Sequence, residues 1–187
     1  MEDKEEKNIF NFNLKTQYWL SSEEEDLCSH GEIYLKVNGT VITEADIGEE
    51  WGISESALAL LRTLDADYIS NPDCEEGLIL HGCGAMLMSG CPISIHWSVQ
   101  HKEGAVFLSD FVKFTSTDLT EGKIEYPDLR ISVKKAVYEQ EILQFAKQAK
   151  ALFESSTAKE IEDEYDQDMY TDFWKEYDHF LQKYSAY

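Results

Sequence analysis

Residues 93–100, ISIHWSVQ, set Ile93, Ile95, Trp97 and Val99 in strict alternation with Ser94, His96, Ser98 and Gln100. A period of two over eight residues describes a strand with one apolar face, because a helix would scatter those side chains around its axis. Such a strand needs neighbours in a sheet and a layer to cover its apolar side. Downstream, Lys102-Glu103-Gly104 reads as a three-residue hairpin loop that places Val99 opposite Phe107, Ile95 opposite Phe111 and His96 opposite Asp110. Upstream, the apolar run 78–88 supplies the other neighbour, and Ser89-Gly90 suits a two-residue turn. That turn sets Gly82 against Trp97 and Gly84 against Ile95, leaving room for large rings, with Cys83 beside His96 and His81 beside Ser98 on the other face.

The flanking sequence extends the same architecture. Ile33, Leu35 and Val37 alternate up to Asn38-Gly39, a dipeptide suited to a turn whose two central residues take positive φ, so a second hairpin is expected there. Phe10, Phe12 and Leu14 alternate before the acidic loop 23–26. Ser54 precedes Ala57, Leu58, Leu61 and Leu64 at helical spacing, with Glu55 in the first turn, which predicts a short helix over 54–66. A longer helix over about 134–153 carries the stripe Tyr138, Ile142, Phe145, Ala149 and Leu152. The fold class expected is α+β: a mainly antiparallel meander sheet with a short helix and two C-terminal helices packed on it. Residues 1–156 form a single domain, and 157–187 form an acidic aromatic helix docked on it.

The chain of 187 residues carries 37 acidic and 16 basic side chains, a formal charge of −21. A field of that sign repels phosphate backbones and anionic lipid, which argues against nucleic-acid and membrane partners, and it speeds encounter with a basic protein. Residues 1–10, MEDKEEKNIF, lack the basic start and apolar run of a signal peptide, so a cytoplasmic location is expected. Cys28, Cys74, Cys83 and Cys91 are then read as thiols or ligands rather than disulfides.

Two readings of function follow. The first is a protein-binding module, of the kind that neutralises a basic toxin as immunity proteins do, with no cofactor. Its contact surface would be the C-terminal helix, where Tyr170, Trp174 and Tyr177 stand among Asp168, Asp172 and Glu176, since Trp and Tyr ringed by charge make good interface anchors. The second uses the polar face of the central strand. Cys83, His96 and Asp110 have the composition of a nucleophile, a base and an orienting carboxylate. His81, Cys83 and His96 would alternatively offer three ligands to zinc and leave a fourth position for water. The tripeptide Gly90-Cys91-Pro92, the strand IHWSVQH ending at His101 and the segment FWKEYD at 173–178 together resemble a group of uncharacterised bacterial proteins without an assigned activity. The resemblance spans most of the chain, implies a bacterial origin and supplies no catalytic residue.

Overall fold

The computed structural model describes residues 9–71, 77–82, 91–118 and 120–185. The strands are β1 (Phe10–Leu14), β2 (His30–Gly31), β3 (Ile33–Val37), β4 (Thr40–Thr43), β5 (Trp51–Gly52), β6 (Ile79–His81), β7 (Ser94–Lys102), β8 (Ala105–Phe114), β9 (Lys123–Tyr126) and β10 (Ile131–Lys134). The helices are α1 (Ile53–Arg62), α2 (Lys135–Ser155) and α3 (Glu164–Ser185). The fold is α+β, as the alternating and helical patterns require. One sheet has the order β1-β3-β4; the larger has the order β10-β8-β7-β6-β5-β2, with β9 also paired to β8, and every pairing of named strands is antiparallel.

Local chemistry explains the hairpins. Asn38 and Gly39 take φ of 47° and 86° and join β3 to β4 as the sequence predicts. The β7–β8 turn is tighter than expected. Glu103 and Gly104 alone form it, at φ of 36° and 84°, so Lys102 pairs with Ala105 and Val99 faces Leu108 rather than Phe107. Further along, Asp110 (φ 58°) and Phe111 together oppose Trp97 in a bulge. The bulge turns the register again, so His96 faces Val112 and Ile95 faces Lys113.

The β6–β7 register also differs from the sequence expectation. Ile79 lies opposite Ile95 and Leu80 opposite Ser94, and the ladder ends with the His81 N–H donating to the Ile93 carbonyl at 3.2 Å. Pro92, the next residue toward the loop, has no N–H with which to continue it. Gly82 therefore does not face Trp97. Cys83, Gly84, Ser89 and Gly90 lie outside the described residues.

Trp97 and Phe111 stack in the core with ring centres 5.7 Å apart, and α2 lays Tyr138, Ile142, Phe145 and Ala149 over the sheets. The short helix begins at Ile53, with Gly52 and not Ser54 at its N-cap. The C-terminal helix α3 buries Phe173, Tyr177 and Phe180 in the same apolar cluster. It is fixed by Tyr177 Oη donating to the Ala146 carbonyl at 2.7 Å and by a two-pronged Arg62–Glu176 pair with both contacts at 2.7 Å.

Candidate metal centre

The chain enters β2 from a turn at residues 23–25, where the Glu25 and Asp26 N–H groups donate to the Ser22 carbonyl at 3.1 and 3.0 Å. The chain bends at Cys28, whose N–H donates to Asp26 Oδ1 at 3.3 Å, before it enters β2 at His30. Asp26, Cys28 and His30 project together, and each is at most 4% exposed. The backbone is pinned on both flanks. His30 and Tyr18 exchange N–H···O bonds of 3.0 and 2.9 Å, while Ser29 accepts from the Ile53 N–H at 2.7 Å and donates to Ser54 Oγ at 3.0 Å.

Each donor atom has a fixed aim. Asp26 Oδ2 accepts from the Leu20 and Ser21 N–H groups at 2.7 and 3.4 Å, which turns Oδ1 toward Cys28 and His30. Cys28 Sγ stands 3.5 Å from His30 Nε2 and 3.8 Å from Asp26 Oδ1, and His30 Nε2 stands 3.7 Å from that same oxygen. On the far side of the ring, a Cβ on Gly82 would fall 2.2 Å from His30 Nδ1. The glycine expected to make space for Trp97 makes space for His30 instead. Gly52, opposite His30 in β5, similarly leaves Glu55 Oε2 3.4 Å from where its own Cβ would be.

The electrostatics follow from burial among carboxylates. The Cys28 thiol is pushed well above its ordinary value, first by burial and then by the charges of Glu55 and Asp26, both of which also hydrogen-bond it. Burial holds the His30 imidazole below its ordinary value against the opposing pull of Asp26. A neutral imidazole is the form that binds a metal. Glu55 is itself buried and accepts from Ser54 Oγ at 2.9 Å.

Among the described residues, Asp26, Cys28 and His30 are the one set of three acidic, cysteine and histidine side chains whose ligand atoms all lie within 4.8 Å of one another. This corrects the expectation that no cofactor is involved: the clustered donor set suggests a metal site. Neither Asp26 nor His30 stood out in the sequence. The readable signal was their spacing, D-x-C-x-H, with three ligand types two residues apart.

The residues singled out from sequence are dispersed. His96 is buried; its Nε2 lies 2.8 Å from Ser94 Oγ and its Nδ1 has no hydrogen-bond partner among the described residues. Asp110 is exposed at the bulge and accepts from Ser109 Oγ at 2.7 Å, so it does not orient His96. His81 stands with Nδ1 3.5 Å from Cys91 Sγ, and Cys83 lies outside the described residues. On α3, Tyr177 is buried, Tyr170 and Trp174 are half-buried against the core, Glu176 holds Arg62, and Asp168 and Asp172 are exposed.

Comparison with family models, with curated proteins and with solved structures finds no match. That outcome agrees with a resemblance that brought no activity. No helix among the described residues is long and apolar enough to cross a membrane.

Proposed function

We propose that this chain is a metal-binding protein in which Asp26, Cys28 and His30 hold a divalent ion of the zinc class. The observation that carries the reading is the convergence of three buried, chemically unlike donors. Zinc bonds of about 2.3 Å to sulfur and about 2.0–2.1 Å to nitrogen or oxygen, at tetrahedral angles, separate the donors by about 3.3–3.6 Å. The separations here are 3.5, 3.7 and 3.8 Å, so a few tenths of an ångström of contraction complete one face of a tetrahedron. A thiolate and an imidazole favour zinc or a neighbouring transition ion over magnesium or calcium, which select oxygen donors.

Among the described residues three donors converge, which would leave a fourth position for water or another ligand. Glu55 hydrogen-bonds Cys28 without joining the converging set, so it stands as a buried carboxylate next to one of the three donors. Asp26, Cys28 and His30 would hold the ion, which would supply Lewis-acid chemistry of the kind used in hydrolysis, and Glu55 would be the nearby carboxylate able to hold a proton. A nucleophile–base–orienter arrangement fits the three residues less well, because Asp26 and Cys28 both face Nε2 of His30 instead of opposite ring nitrogens.

The test is metal content by elemental analysis on chain purified without chelator, followed by cobalt substitution. One ion per chain and a sulfur-to-cobalt charge-transfer band are expected, both lost in Cys28→Ser and His30→Ala with the fold intact by circular dichroism. A wild-type chain that takes up no more zinc or cobalt than those variants would end the proposal.

A further inference from the structure

Outside the metal centre, a second thiol meets an imidazole. Cys91 Sγ lies 3.5 Å from His81 Nδ1, and both residues are partly exposed. The two come from opposite ends of the segment joining β6 to β7, and the sheet fixes their approach. The His81 N–H donates to the Ile93 carbonyl at 3.2 Å, Ser94 Oγ donates to the Pro92 carbonyl at 2.9 Å, and Trp51 faces His81 from β5. His81 closes β6 and Cys91 stands three residues before β7, so the paired strands hold the acceptor directly and the nucleophile through Pro92 and Ile93.

We propose that Cys91 is a site of reversible thiol–disulfide exchange with low-molecular-weight disulfides, with His81 as its proton acceptor. The thiol proton passes to His81 Nδ1, and the Cys91 thiolate attacks one sulfur of the incoming disulfide. The new Sγ–S bond forms as the old S–S bond breaks, and the departing thiolate takes the proton from the imidazolium. Cys91 is thereby oxidised to a mixed disulfide and half of the reagent is reduced to a thiol, with no other oxidant required.

Thiol–disulfide exchange asks less of its surroundings than acyl transfer does. It needs an accessible sulfur, an acceptor for the thiol proton and a line of approach, but no oxyanion site. Cys91 has the partial exposure and the acceptor. Cys28 has neither access nor a favourable field, since it is 1% exposed and lies between two carboxylates.

The experiment exposes the native chain to oxidised glutathione near neutral pH and follows the Cys91 adduct by peptide mapping and mass spectrometry. A positioned proton acceptor raises a rate by well over about tenfold in favourable cases, so replacing His81 leaves room for a loss of about tenfold. The expected results are an adduct on Cys91 that dithiothreitol reverses, and a rate about tenfold lower in both His81→Gln and His81→Asn, with both variants folded by circular dichroism. Cys91→Ser serves to confirm the assignment of the adduct. Equal rates in wild type and in the folded His81 variants, or a Cys91 rate no higher than that of free cysteine, would overturn the proposal. Because the readout is an adduct on Cys91, it stands apart from the metal content that tests Asp26, Cys28 and His30.

Discussion

Among the described residues two cysteine–histidine pairs stand at the same separation, 3.5 Å, and their surroundings favour opposite chemistry. Cys28 and His30 are sealed in with Asp26 and Glu55, where burial and negative charge keep the thiol protonated unless a cation arrives. Cys91 and His81 are partly open to solvent, with His81 at the end of β6 and Cys91 three residues before β7. Distance alone therefore does not distinguish a ligand pair from a reactive pair. Burial and the presence of a third donor do.

The largest effect that would break this comparison is on metal affinity. Cys28→Ser or Asp26→Asn is expected to weaken zinc binding by at least about 100-fold, since even changes to residues behind a ligand cost about 10–100-fold. Cys91→Ser should leave it unchanged, as read by competition with a chromophoric chelator.

Next is the difference in thiol access. Iodoacetamide should label Cys91 in the native chain, while Cys28 reacts only through opening of the fold, a process suppressed by roughly 10³-fold or more in a stable domain. Equal labelling of the two thiols would erase the distinction.

Gly82→Ala sharpens the sealed side. Its Cβ would fall 2.2 Å from His30 Nδ1, so the ring must move, with an expected cost of about 1–3 kcal/mol in denaturant unfolding together with weaker metal binding. Gly52→Ala meets nothing closer than 3.4 Å and should cost less than half as much.

A third histidine isolates the effect of burial from that of a carboxylate. Desolvation alone lowers His96 to about 4. Its unfolded imidazole, with a pKa near 6.5, takes up a proton first, so stability is full above about 6.5 and falls as the pH drops toward 4, by roughly 2–3 kcal/mol in all. His96→Asn should flatten that part of the stability–pH curve.

Smallest is Arg62→Ala. The Arg62–Glu176 pair fastens α3 to α1 but is 55% and 39% exposed, so less than about 1 kcal/mol is expected from chemical denaturation.

The strands and helices were legible because their evidence is local. The alternation in 93–100 and the stripe from Tyr138 to Ala149 each bury one face, and Asn38-Gly39 encodes its own turn. Register was less legible. One residue fewer in the turn at Glu103-Gly104 and one more in the bulge at Asp110 separated His96 from the carboxylate expected to orient it. The spacing of Asp26, Cys28 and His30 was in plain view, yet an acidic loop followed by a cysteine carries no warning that all three side chains turn inward.

What the amino-acid sequence determined by itself was the α+β class, the antiparallel hairpins and the helix faces, since each follows from periodicity within a dozen residues. The contacts of Cys28 and Cys91 were settled by tertiary structure. The facing strands β2, β5 and β6 bring Gly82 against His30, the pairing of β6 with β7 brings Cys91 to His81, and the carboxylate of Asp26 is aimed by the N–H groups of Leu20 and Ser21. Contacts of that kind depend on register and burial across distant segments, and no local pattern encodes them.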